Sequence, residues 1–162
     1  MRKVVLVLLF CAISAWLAPS VAQEWYQLES REGKFTVLFP ARPTYTAVPI
    51  REGKLTLHRW LLDAEKSAYI VSYIDYAPGT MPNLDNLTKG MLDNRTLVSE
   101  QRITHGGHAA RDVVARDPSG LIVRQRHLTV GERAYIWNYA GDPETETGPD
   151  IQRFLDSLMI RR

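Results

Sequence analysis

The chain is nearly devoid of cysteine. Its one Cys among 162 residues is Cys11, so no intrachain disulfide can form, and thiolate metal centres and thiol catalysis lose their ligand. Nucleotide-binding motifs are missing too: there is no G-x-G-x-x-G and no P-loop. The G-x-S-x-G elbow of a serine hydrolase is absent, and Ser119 in "DPSG" reads as a turn residue. Asp63, Glu65 and Asp75 are acidic neighbours of a kind that any chain with 18 carboxylates offers. Long apolar runs are confined to "VVLVLLFCAISAWL", Val4 to Leu17. At about 14 residues it is shorter than the roughly 20 that a spanning helix needs.

What stands at the start is the pattern of a cleaved export signal. Arg2 and Lys3 precede the apolar run, and "APSVA" ends it with Ser20 and Ala22 as small residues before the cut. The expected cleavage lies between Ala22 and Gln23. Cys11 follows Phe10 rather than a small residue, so it is read as filler of the signal and not as a lipidation site. Segment 1–22 is thus the expected signal peptide, and 23–162 a single domain of 140 residues with no cysteine, ample for one core. The expected location is periplasmic or secreted, without a membrane span once the signal is removed. "NLT" at Asn86 and "NRT" at Asn94 are sequons, which carry no weight in a bacterial periplasm.

Charge excludes another class. The whole chain has 20 Lys+Arg against 18 Asp+Glu and a pI near 8.8. Loss of Arg2 and Lys3 brings the two counts level, and a nucleic-acid partner is not expected.

Strand signals dominate the remainder. "REGKFTV" at Arg31 and "REGKLTL" at Arg51 are similar turns, each with a Gly expected at positive φ before alternating apolar residues. "KFTVLFP" is stopped by Pro40, and Pro49 makes "TYTAVPI" an edge candidate. "KLTLHRWLLD" and "SAYIVSYIDYA" are joined by "AEKS". The second is apolar on both faces, which predicts a strand covered on both sides. Leu84, Leu87, Met91 and Leu92 predict a helix from about Leu84 to Leu97, with Asn83 as N-cap. "AARDVVARD" turns at "DPSG". "LIVRQRHLTV" and "RAYIWNYAG" flank a two-residue Gly131–Glu132 loop that suits a II′ hairpin. Pro149 opens a last helix whose stripe is Ile151, Phe154, Leu155 and Leu158. The fold class is α+β: an antiparallel sheet with helices packed on its faces.

"EWYQLESREGKFTVLFPARP", then "GGHAARDV", "RQRHLTVGERAYIWNY" and "FLDSLMI", in that order, resemble the Mog1/PsbP-like domains, among them bacterial proteins of unknown function. The resemblance spans most of Trp25 to Ile160. It implies an α/β/α sandwich and a binding or assembly role without catalytic residues, and it transfers no site residue.

Two constellations remain. In "HGGHAARD", His105 and His108 with Asp112 as third ligand form the sole metal candidate. Zinc wants at least three protein ligands, and His58 and His127 fall on separate strands. The preferred reading is a Gly106–Gly107 turn with both histidines facing solvent, and no metal or cofactor. The other constellation comes from the Gly131–Glu132 loop, which places Leu128 opposite Tyr135, Arg126 opposite Trp137 and Arg124 opposite Tyr139 on one face. Arg124, Arg126, Tyr135, Trp137 and Tyr139 are the candidate binding residues. Trp137 is expected to pack under Phe154 or Leu158, with both guanidinium groups reaching solvent. The functional expectation is a non-enzymatic binding or assembly-accessory domain whose partner is another envelope protein. The alternatives are a small metal-dependent or other hydrolase using the His105/His108 region, and a carrier of a small apolar ligand.

Overall fold

The computed structural model describes residues 24–161. The expected signal segment, Cys11 and the Ala22–Gln23 cleavage site lie outside the described residues. A three-stranded antiparallel sheet holds β1 (Tyr26–Ser30), β2 (Phe35–Phe39) and β10 (Met159–Ile160), in the order β1-β2-β10. The large sheet holds β3 (Thr44–Ile50), β4 (Leu55–Ala64), β5 (Ser67–Asp75), β6 (Thr96–His105), β7 (His108–Arg116), β8 (Ile122–Val130) and β9 (Arg133–Gly141). Its seven strands run β3-β4-β5-β9-β8-β7-β6, each pair antiparallel. Two helices, α1 (Leu84–Met91) and α2 (Pro149–Asp156), complete the α+β fold.

The core lies between one face of the large sheet and a cover made of the small sheet and α2. Tyr69, Val71, Tyr73, Leu128, Tyr135, Trp137 and Tyr139 meet Phe35, Val37, Phe39, Ile151, Phe154, Leu155 and Leu158 there. Ile151, Phe154 and Leu155 fall on the inner side of α2 as their i, i+3, i+4 spacing predicts. Leu158, expected on the same helix, lies beyond its end at Asp156 and joins the core from the connection to β10. On the opposite face α1 seats Met91 against Val113, Ala115 and Val123. On β5 the core face carries buried Tyr69, Val71 and Tyr73, and the other face is mixed, with Ser72 and Ile74 buried and Ala68 and Ile70 half-buried.

Short turns fix most registers. Gly131 takes φ +57° and Val130 pairs with Arg133, as a two-residue hairpin demands. Asp117 Oδ1 accepts hydrogen bonds from the Ser119 and Leu121 amides and closes the "DPSG" turn. Asn83 caps α1 by accepting from the Asp85 amide at 2.7 Å.

Two further expectations are corrected. The helix expected to reach Leu97 ends at Met91. Asn94 takes a left-handed φ of +63°, and Thr96 begins a ten-residue strand. The β-branched pair Thr96 and Val98 suits a strand, and the apolar spacing fails after Leu92. Gly33, expected at positive φ, is not there; Lys34 holds that conformation at +53°. Glycine is required at 33 by space, because a Cβ would stand 2.6 Å from both the Phe35 ring and Ser30 Oγ. Gly53, in the sister turn, does take φ +80°.

Candidate functional site

The Arg-aromatic face is internal. Its register is the one read from the hairpin: Leu128 opposite Tyr135, Arg126 opposite Trp137, Arg124 opposite Tyr139. All three rings are buried under the α2 side of the molecule. Tyr135 Oη donates to the Gly33 carbonyl at 2.9 Å, and Trp137 Nε1 to the Leu155 carbonyl at 2.9 Å.

The arginines do not reach for solvent as expected. Asp112, on the next strand, sits opposite Arg126 and draws both guanidinium groups inward. Arg124 donates to both Asp112 oxygens at 3.1 and 2.8 Å, and Arg126 Nε to Oδ2 at 2.8 Å. Asp156 at the end of α2 accepts from Arg126 at 2.6 Å. Burial works against the Asp112 carboxylate, but the hydrogen bonds from Arg124 and Arg126 outweigh it and hold its pKa below the ordinary value. The bond to Asp112 raises the Arg124 pKa in turn. This network ties β7, β8 and α2 together.

Asp112 is therefore engaged away from the two histidines. Gly106 and Gly107 form the expected turn, with φ of +57° and +83° and His105 paired with His108. His105 does not face solvent: its ring lies 4.9 Å from the Trp137 ring, and its Nε2 donates to the Leu158 carbonyl at 2.7 Å. His108 is half-buried beside a surface cleft. Among the described residues no three His, Cys, Asp or Glu side chains gather as a metal site would need.

A different group of residues forms an accessible aromatic row. It crosses β3, β4, β5 and β9 on the core-facing side of the large sheet, beyond the cover. Tyr45 pairs with Trp60, His58 with Tyr73, and Tyr73 with Tyr135. The period of two puts all of them on one face. His58 stacks on Tyr73 with centroids 4.4 Å apart and planes at 4°. Tyr45 lies 4.9 Å from Trp60, and its Oη is 2.8 Å from His58 Nδ1. Trp60 also meets Phe35 edge-on at 5.3 Å, which anchors the row to the core. Tyr73 is buried, His58 and Trp60 half-buried, and Tyr45 is 49% exposed. Burial pushes the Tyr73 phenol up to about 12, although Arg133 pulls it the other way.

Arg133 closes the row. Its guanidinium lies 4.5 Å from the Tyr73 ring centroid and grips Asp75 with both Nε and Nη2 at 2.5 and 2.7 Å. The bond to Asp75 raises its pKa further. It also lines a cleft of about 670 Å³ with Lys34, His108, Glu132 and Arg161. Aromatic anchors beside a fixed cation, partly open to water, suit recognition of another surface. His58 has no carboxylate to orient it among the described residues, so the nucleophile–base–orienter chain of acyl transfer is not assembled there. Tyr45, His58, Trp60, Tyr73 and Arg133 were not singled out from the sequence. The signal that exposes them is the four-residue Arg51–Lys54 loop, which sets Ile50 opposite Leu55 and so Tyr45 opposite Trp60.

The sequence matches no family model and no curated protein. Solved structures do match. Cyanobacterial PsbP (CyanoP) from Synechocystis sp. PCC 6803 superposes with a TM-score of 0.58 at 8% identity, over 88% of this chain and 96% of that one. PA94 from Pseudomonas aeruginosa, a protein of unknown function, gives a TM-score of 0.53 at 15% identity, over 85% and 98%. The chain has a PsbP-like α+β fold.

Proposed function

We propose that this chain is an exported bacterial domain that binds another envelope protein without catalysis and assists its assembly. The row of Tyr45, His58 and Trp60, continued by Tyr73 and Arg133, carries the reading. It is an anchored aromatic surface that ends at an exposed ring, the composition in which binding energy concentrates. The PsbP-like fold is compatible with such a role, and among the described residues no helix is long and apolar enough to cross a membrane. The packing of Trp137, Phe154, Leu155 and Leu158 between sheet and α2 supports this reading over a carrier of a small apolar ligand.

The test is site-specific photocrosslinking in the native envelope. A crosslinkable residue at Tyr45 should capture one defined protein, and the same residue at exposed Glu144 should not. Capture should fall at least tenfold in a His58→Ala background that melts like the wild type. Equal capture at both positions would refute the site. The mass of the captured form also tests export, since it should begin at Gln23.

A further inference from the structure

We infer that β6 is a self-association edge, on which a second copy of this chain pairs antiparallel about Gln101 to give one continuous sheet. The two edges of the large sheet differ. At one end β3 carries Pro49, which removes a ladder donor. At the other, β6 runs ten residues from Thr96 to His105 without proline, and beyond it no strand pairs among the described residues. Such an edge offers unpaired N–H and C=O groups.

Which groups face outward follows from the hairpin. His105 and His108 flank a two-residue turn and form a hydrogen-bonded pair. Alternation then makes Ile103 and Gln101 bonded to β7, and turns the peptide groups of Thr104, Arg102 and Glu100 outward. A second β6 must present the same set, so only a few registers are open. Centring the two-fold axis on Glu100 sets carboxylate against carboxylate, and centring it on Arg102 sets cation against cation. Centring it on Gln101 pairs each Glu100 with the other copy's Arg102, twice. Charge selects that register.

The monomer leaves the charge unmet. Arg102 is exposed, lies directly opposite Arg111 on β7, and has no acidic partner among the described residues. Arg111 itself is served by Asp85 at 2.9 Å and Glu100 Oε1 at 3.1 Å. The Glu100 contacts fall on Oε1, which meets Arg111 and Thr88 Oγ1, and leave Oε2 without a hydrogen bond among the described residues. The β6–β7 register shifts at a bulge between Leu97 and Ser99, and pairing resumes at Leu97 and Thr96. Exposed Leu97 and Val98 would lie against His105 and Thr104 of the second copy.

The experiment uses protein exported with its own leader, in a Cys11→Ser background. Gln101→Cys stands at a non-hydrogen-bonded pair about 4.5 Å apart in Cα, within disulfide reach. Glu100→Cys and Arg102→Cys meet their own copies only diagonally, at about 7–8 Å. Mild oxidation should link Gln101→Cys into a dimer at least tenfold faster than either neighbour. Sedimentation of the wild type should show a concentration-dependent dimer, weakened at least tenfold by Arg102→Glu. That variant should melt no lower than the wild type in the monomeric range, because it relieves the Arg102–Arg111 repulsion. A monomer at every concentration, equal linking at the three sites, or faster linking at 100 or 102 would overturn the inference.

Discussion

The Trp137 indole N–H donates to the Leu155 carbonyl across 2.9 Å, so one residue of β9 both floors the core and holds the last turn of α2. That carbonyl is among those a helix cannot satisfy from within. Trp137 is also fully buried. Trp137→Ala should cost about 3–5 kcal/mol in a denaturant melt. Trp137→Phe keeps most of the packing but leaves the carbonyl without its donor, and should cost about 1–3 kcal/mol. A Phe variant as unstable as the Ala variant would mean the bond, and not the ring volume, dominates.

The salt-bridge cluster behind it gives a second expectation. Asp112, Arg124 and Arg126 have side chains 8%, 17% and 8% exposed, so none of the three is well hydrated when a partner is lost. Asp112→Ala should cost about 3–5 kcal/mol, because it strands buried cations. The Arg124→Ala/Arg126→Ala double variant should be destabilised comparably, since it strands the carboxylate. If the double variant melted like the wild type, the pairing would be idle.

How much of this was legible in the sequence depends on loop length. The Gly131–Glu132 turn is short, so the facing of Arg126 and Trp137 could be counted residue by residue. Asp112 approaches through a second hairpin, whose loop around "DPSG" permits more than one register. Its seat opposite Arg126 was therefore hidden, and with it the inward turn of both arginines. Only Thr96 and Leu97 of β6 fall under the helix expected to reach Leu97. The rest of the strand, Val98 to His105, is mostly polar and shows no apolar alternation, so its sequence marks no element. The aromatic row was distributed over four strands, and no single segment shows it. Gly33 illustrates a deeper limit: its sequence matches a positive-φ turn, while its reason is the Phe35 ring packed against it.

His127 supplies a pH dependence. It is fully buried, with Nε2 3.2 Å from the Leu84 carbonyl and Nδ1 3.2 Å from Gln125 Nε2. The neutral ring donates through Nε2 and accepts at Nδ1, which joins α1 to β8. Burial pushes its pKa down to about 4 from 6.5. Between those values the unfolded chain holds a proton that the folded chain does not, so stability rises with pH there. The contribution is complete above about 6.5 and is lost as pH falls to about 4, roughly 3 kcal/mol in all. Below that, Asp112 adds a further loss as its lowered pKa is passed. His127→Gln should flatten the stability profile between pH 6.5 and 4 and leave the steeper acid limb. A slope unchanged by that substitution would assign the titration elsewhere.

The two histidines of "HGGHAARD" should separate cleanly. As solvent-facing turn residues they would be equally dispensable. Instead, His105 supplies the donor for the Leu158 carbonyl at 2.7 Å and rests on Trp137, while the His108 side chain makes no hydrogen bond among the described residues. His105→Ala leaves that carbonyl without its donor and bares one side of the indole, so it should cost about 1–3 kcal/mol. His108→Ala should stay within about 0.5 kcal/mol of the wild type. His105→Gln, which can reach with an amide N–H, should recover part of the loss. The same samples should be read for zinc after equilibration with the ion. Asp112 is committed to two arginines, so the pair lacks a third ligand among the described residues and binding should not reach one equivalent. Equal melting of the two Ala variants, or stoichiometric zinc that either one abolishes, would show that this turn works as a ligand pair rather than as a brace for α2.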